Sequence, residues 1–316
     1  MKHAVSISIG SSKRNKAVEV NLLGEAVRIE RIGTDGDMEA AALKYQELDG
    51  KVDAFGVGGA DLEALVDGKA YPFYSVRPMV RFVEKTPLVD GGGLKNTLEN
   101  KAAAFLDEKI GAYINQRGRK VLVPVGVDRW GLSKSFSEAG YEMVFGDMMF
   151  GLDIPIPVRT LRALKTVAAL LMPIAGRLPF EMLYPTGEKQ EKHVPKFVKY
   201  YHWATVIAGD CHYVKRHMPL DGMQGKVVVT NTTTPDDVEF FRKVGIKYLV
   251  TTTPVMDGRS FGTNMMEAAL VAVSGKNRPL TWDELSGMIA KLGFQPQLQD
   301  LETSSQSSEH QTMSSV

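Results

Sequence analysis

One cysteine, Cys211, stands in the 316 residues, so an intrachain disulfide and any cysteine-only metal cage are excluded. An excess of one charge is missing too. The 38 Lys and Arg against 37 Asp and Glu leave a net +1, and no strong field draws the chain to nucleic acid or to an anionic membrane. Long hydrophobic runs are absent: the most apolar later stretch, residues 167–175, is interrupted by Pro173 and falls far short of the ~20 residues of a membrane span. The start, MKHAVSISIG, has one early lysine and a short apolar run broken by serines, which reads as a strand where a signal peptide would carry a longer apolar core. There is no internal repeat and no GxxxxGK[ST] phosphate loop. What is there, 44% hydrophobic and 24% charged residues, is the composition of a globular protein. At ~150 residues per domain the length suggests two domains. The expectation is a cytoplasmic protein with no membrane or nucleic-acid partner.

Strand and helix signals alternate along the first part. Residues 4–9 are β-rich, 18–32 read as two strands about a Gly24-Glu25 turn, 37–48 are alanine-rich and helical, and 52–57 form an apolar strand closing in Gly58-Gly59. Residues 78–85 suggest a short helix and 87–89 a short strand. From 96 to 115, apolar residues such as Leu98, Ala102, Leu106 and Ile110 share one face at helical spacing, with Asn96 and Glu99 as the capped start and Arg117-Gly118 as the stop. A second unit opens at Lys120 with a strand over 121–125, a helix over 132–139 and a strand over 141–145. Residues 154–202, punctuated by proline, helical over 161–171 and charged over 187–193, read as an insertion or lid. Strands return at 205–208, 226–230 and 248–251, with a helix over 235–244 between the last two, where Thr234 and Asp237 have capping-box spacing. A last long helix starts near Asn264, with Glu267 three residues on, and runs to Ser274; the Ser- and Gln-rich end, 303–316, is expected to be disordered.

Parallel strands need crossover connections, so this alternation predicts an α/β fold whose ligands lie at the carboxyl ends of the strands. The expected order is an N-terminal α/β substrate domain (1–118), a Rossmann-like parallel-sheet domain (119–298) with an insertion at about 154–202, and a tail (299–316).

Residues 120–147 are the most informative. After the strand come Gly126-Val127-Asp128-Arg129-Trp130-Gly131, then a helix, a second strand and an acid. A dinucleotide fingerprint wants glycines first, third and sixth, and an acid about 20 residues on. Gly126 and Gly131 fill two of those places, and Asp147 stands where it would accept hydrogen bonds from the adenosine ribose. Asp128 takes the third place, where glycine lets the backbone approach a pyrophosphate, and Arg129 beside it offsets the charge. The other reading of both glycines is turn and packing alone. Thr230 and Asn231 end a strand just before a helix, where hydroxyl and carboxamide can bind a ribose or a nicotinamide carboxamide without adding charge. Helix capping is the alternative there, as it is for Thr251-Thr252-Thr253 and for Gly262-Thr263-Asn264, whose amides also suit an anion.

The runs GSSKRNKAVEV, RIGTDGD, FGVGGADL, VDGGGLKNTLE, GVDRWGLSKSF, VIAGDCHYVKRHMP, TNTTTP and TTTPVMDGRSFGTNMMEAAL together resemble bacterial proteins labelled quinate 5-dehydrogenase, up to about Leu298. The resemblance implies a shikimate-dehydrogenase-like arrangement of substrate domain and Rossmann domain. NAD or NADP would be the cofactor and a small hydroxylated carboxylic acid, such as quinate or shikimate, the substrate. The expected partners are that small molecule and a second copy of the chain.

Oxidising a secondary alcohol needs a base for the hydroxyl proton. Lys95 follows Asp90-Gly91-Gly92-Gly93 and sits at the start of a helix, whose positive end disfavours an ammonium; Asp90 is placed to orient it. A flexible loop with a solvated lysine is the other reading. Gly56 to Asp61 makes a similar loop, with Asp61 as a second carboxylate. Ser11, Ser12, Lys13 and Arg14, after the first strand, suit a substrate carboxylate. No metal site enters this reading. The competing constellation is Asp210-Cys211-His212, with Lys215, Arg216 and His217 behind it. It has the residue types for a metal- or thiol-dependent hydrolase or lyase, or for a polar wall in which His212 or Lys215 meets substrate or cofactor phosphate. A nucleotide-binding regulatory protein is the third reading. Met148, Met149, Met265 and Met266 read as core filler.

Overall fold

The computed structural model describes residues 1–184, 193–253, 255–256, 259–260 and 262–302. Of the expected charged run only His193 falls among them, and the expected disordered end, 303–316, lies outside them. Two compact units emerge, and neither is one continuous stretch of chain. The first is Met1–Thr97 with Lys165–Gln190 and Val255–Phe294, and the second is Leu98–Leu164 with Glu191–Pro254 and Gln295–Val316. They replace the successive blocks 1–118 and 119–298 that chain order suggests. One physical reason is the helix Thr263–Ser274, which packs on the first unit's sheet instead of closing the second.

In the first unit, β1 (Lys2–Ser8), β2 (Lys16–Leu22), β3 (Glu25–Gly33), β4 (Ala54–Gly58), a hairpin of β5 (Glu63–Val66) and β6 (Lys69–Pro72), and β7 (Leu88–Val89) follow one another. The sheet order is β2-β3-β1-β4-β7, parallel except for β2, and the hairpin stands apart from it. The central strands read as apolar runs because both faces are covered: all five residues of β4 are buried. The edge strand β2 exposes much of its length. Its turn into β3 runs through Leu23 and Gly24, both with positive φ, one residue earlier than expected. Asp37 caps the helix Met38–Leu48 by accepting the amide of Ala40. That helix buries Tyr45 edge-on against Phe55, ring centroids 5.0 Å apart, with the hydroxyl between the carbonyls of Ile7 and Gly56. The helix expected over 78–85 is a 3-10 turn, Tyr74–Val76, running into a short helix, Arg77–Val80.

The long helix expected over 96–115 is two, Gly92–Glu99 and Ala102–Arg117. Ser135 explains the break: its hydroxyl donates to the carbonyl of Asn100 and accepts the amide of Ala103, groups a continuous helix would have paired internally. Asn96 is therefore no N-cap; its carboxamide donates to the carbonyl of Gly92 inside the helix. Gly118, with φ of 80°, is the expected stop.

The second unit holds β8 (Lys120–Val123), β9 (Glu142–Phe145), β10 (Val206–Ala208), β11 (Val227–Thr230) and β12 (Tyr248–Thr251). A short antiparallel pair in the first unit, β13 (Val255–Met256) and β14 (Arg259–Ser260), precedes the second unit's last strand, β15 (Gln297–Asp300). The sheet order is β15-β12-β11-β10-β8-β9, parallel except for β15. This is a Rossmann-like α/β sheet, as expected, with its strands in the order 2-1-3-4-5. The dinucleotide order proper is 3-2-1-4-5-6. In the 2-1-3-4-5 order the connections diverge between the first and third strands, here β8 and β10, and ligands bind at the carboxyl ends of such a pair. The capping box of Thr234 and Asp237 forms as expected. The sequence reading missed a second capping box, Thr281 with Glu284, that starts the helix Trp282–Lys291. Among the described residues no helix is long and apolar enough to cross a membrane.

Candidate functional site

The loops after β8, β10 and β11 bring together residues that the sequence had assigned to rival sites. Arg129, just before the helix Trp130–Glu138, has a nearly buried side chain and pairs with three carboxylates: Glu99 at 2.9 Å, Asp128 at 3.0 Å and Asp210 at 2.8 Å. Burial alone would lower its pKa, yet the charges of Asp128, Glu99 and Asp210 hold it above the usual guanidinium value. The other oxygen of Asp210 caps the helix Cys211–His217 through the amides of His212 and Tyr213. Asn231 donates from Nδ2 to Asp210 and accepts from the Thr230 hydroxyl at 3.0 Å and from the amide of Cys211. One network thus runs from Glu99 through Arg129 and Asp210 to Asn231 and Thr230, across the point where β8 and β10 diverge. Glu99 was the member missed, because the periodic run made it a helix cap.

The turn expected to seat a diphosphate holds a ligand of its own. Asp147 Oδ2 accepts the amide of Gly126, and Oδ1 accepts the amide of Val127, each at 2.9 Å. Asp147 is buried, and these contacts turn its carboxylate inward onto the loop instead of outward to a ribose. Burial pushes its pKa up to about 6, against the pull of the two amides. Gly126 is required by packing. A Cβ there would come within 2.8 Å of Phe145, 2.9 Å of Leu164 and 3.0 Å of Ser133. Gly131 is buried in the helix that follows. With the amides held by Asp147 and Arg129 held by three carboxylates, the turn does not fit a diphosphate at the place the fingerprint gives it.

The rival constellation of Asp210, Cys211 and His212 is dismantled by the same geometry. Asp210 is committed to Arg129, Asn231 and the helix amides, and Cys211 is buried. Burial, with Asp237 and Asp210 nearby, drives the thiol pKa far above its ordinary value. Lys215 pairs with Asp237, and His217 is buried with Nδ1 on the carbonyl of Val194. His212 is exposed. Among the described residues no three of His, Cys, Asp and Glu are placed to hold a metal ion.

In the first unit, Lys95 stands in the first turn of the helix Gly92–Glu99, with its side chain 12% exposed and its ammonium 3.8 Å from Asp61. Asp90, expected to orient Lys95, accepts backbone amides instead, from Gly92 on one oxygen and Leu62 on the other. The glycine run is explained by close approach of the chain itself: a Cβ on Gly91, whose φ is +92°, would lie 2.4 Å from the amide nitrogen of Asn264. Asn264 donates to Ser6, and its own amide lies against the backbone at Gly91. Glu267, taken for a capping residue, reaches the start of the other helix and accepts the amide of Leu94 at 2.9 Å. Burial pushes its pKa up to about 7, opposed by the amides of Leu94 and Gly93 and by Lys95, with Asp90 adding to the rise.

Residues 93–301 match the family described as Domain of unknown function (DUF8754), and residues 3–90 match Domain of unknown function (DUF8753). The chain belongs to the DUF8754 family. The DUF8754 region contains the whole network around Arg129, together with Asp147, Lys95 and Glu267; Asp61 and Asp90 lie in the region matched by DUF8753. No curated protein matches the chain. Among solved structures, malic enzyme from Entamoeba histolytica is similar at 10% identity and a TM-score of 0.37, over 90% of this chain and 60% of that one. An NAD-dependent malic enzyme from Thermotoga maritima is similar at 10% identity and a TM-score of 0.34, over 90% and 83%. The chain spans about 60% of the length of the Entamoeba enzyme, and neither likeness is close enough to bear on the site.

Proposed function

We propose that the protein is an NAD(P)-dependent oxidoreductase acting on a small hydroxylated carboxylic acid of the quinate or shikimate kind. The observation that carries this reading is the convergence of Arg129, Asp210, Asn231 and Thr230 at the carboxyl ends of β8, β10 and β11, where sheets of this order take their ligands. The sequence resemblance to proteins labelled quinate 5-dehydrogenase supports the substrate class. In the first unit, Lys95 beside Asp61 is the proton acceptor of this reading. The Gly126 turn does not fit the cofactor's diphosphate while Asp147 holds its amides, so the nucleotide must contact other groups or displace that carboxylate.

The same contact favours a second reading: a protein that binds a ligand at the β8–β10 divergence and takes no dinucleotide. Titrating the full chain with NAD, NADP, AMP and quinate, and following the fluorescence of the buried Trp130, separates the two. Saturable NAD or NADP binding, with quinate- or shikimate-dependent reduction of the nicotinamide, supports the first. No response to either dinucleotide, in the wild type and in Asp147→Asn alike, rejects it and leaves the second.

A further inference from the structure

We infer that Arg14 and Arg31, which converge with Ser8 over Gly10, form a binding seat for a small oxyanion at the carboxyl end of β1. The two guanidinium groups come from different elements, Arg14 from the short 3-10 turn after β1 and Arg31 from β3. The point a Cβ on Gly10 would occupy lies 3.0 Å from Arg14 Nη2, 3.1 Å from Arg31 Nη2 and 3.3 Å from Ser8 Oγ. Two cations side by side repel, and an arrangement that holds them there is suited to an anion that supplies the missing charge. Glycine at this position lets both guanidinium groups approach the chain, and a side chain there would press on them.

The seat is built into the sheet. Arg31 donates from Nη1 to the carbonyl of Ser11 and from Nη2 to Ser8 Oγ, which also accepts the amide of Gly10. Gly33 at the end of β3 lies so close to the loop that a Cβ would be 2.6 Å from the carbonyl oxygen of Ser11. Burial and the charge of Arg14 both lower the pKa of Arg31, and the charge of Asp35 opposes them; an arginine stays charged regardless. Asp35 itself accepts the amide of Ser12. Among the described residues neither guanidinium enters an ion pair. Loops after the parallel strands of such a sheet are also where a small molecule is met.

A carboxylate and a phosphate share the chemistry that would be recognised here, a planar or tetrahedral oxyanion accepting from two guanidinium groups. The carboxylate source rests on the substrate class proposed above, whereas the phosphate source does not. The test is calorimetric titration of the full chain with quinate, quinate methyl ester and inorganic phosphate, in wild type, Arg14→Met and Gly10→Ala. Arg14 is exposed and Gly10 has no positive φ, so both variants should fold, which a circular dichroism spectrum checks. The expected result is an oxyanion affinity about tenfold lower in both variants and falling with added salt. Quinate binding that is lost in the ester and in the variants identifies the carboxylate as the source. Phosphate binding alone, lost in the variants, keeps the seat and removes the hydroxy-acid substrate. Wild-type affinity for either anion in both variants, or no binding of either anion to the wild type, overturns the seat, whatever the result with NAD.

Discussion

The carboxylate of Asp147 accepts the amide of Val127, 20 residues earlier in the chain, at 2.9 Å. The same side chain takes the amide of Gly126, so an anion-binding turn is filled by the protein's own anion. This one relationship ties the end of β9 to the end of β8 and decides what else the turn can hold.

A carboxyl whose folded pKa is about 6 against an ordinary 3.8 binds more protons folded than unfolded in that window. Its stabilising contribution is complete below the lower value and is lost as pH rises to the upper one, a loss on the order of 3 kcal/mol. Asp147→Asn removes the titration. Urea unfolding at about pH 4 and about pH 7 should show the wild type losing more stability than the variant by roughly that amount. Equal losses would mean that Asp147 is not buried as described.

Glu267 titrates in the same sense, with its pKa raised from 4.5 to about 7. Stability should fall as pH rises across that interval, and Glu267→Gln should flatten the fall. Lys95 opposes the rise, so Lys95→Met should move the Glu267 titration to still higher pH. Carbon NMR of the carboxyl group reads this directly, and an unmoved titration would separate Lys95 from Glu267.

Arg129 is the positive centre for Glu99, Asp128 and Asp210. Arg129→Met leaves these carboxylates facing one another with Glu99 buried, and should cost about 3–5 kcal/mol in chemical unfolding. Adding Asp210→Asn and Glu99→Gln to it should recover part of the loss. A loss under about 1 kcal/mol for Arg129→Met would show that the network is solvated.

Cys211 is buried and its thiol is held protonated, so it should react with a small disulfide reagent at least about a hundredfold more slowly than a free thiol near neutral pH. Unfolding in urea should restore the ordinary rate. Fast labelling of the native protein would return the thiol nucleophile to consideration.

Local patterns carried the strands and many of the helix limits. The apolar runs of β1, β4, β8, β10, β11 and β12 and the Thr234–Asp237 capping box were legible because each is set by residues a few positions apart. The spacing from Gly126 to Asp147 also placed a strand, a turn, a helix and an acid correctly. It did not reveal that the acid bonds the turn, because a side chain's direction at a strand end depends on what packs around it. The break at Asn100 was hidden for the same reason. The apolar spacing continues through it, and only Ser135, 35 residues away, shows which backbone groups leave the helix.

The sequence by itself determined an α/β chain with chemistry at the strand ends, since period and composition fix which segments become strands or helices and which residues can cap them. Tertiary structure alone decided the strand order, the meeting of Arg129 with Asp210 and of Arg14 with Arg31, and the return of Glu267 to the helix at Gly92. These are contacts between segments far apart in the chain, and they are chosen by packing and by charge compensation that no local pattern encodes.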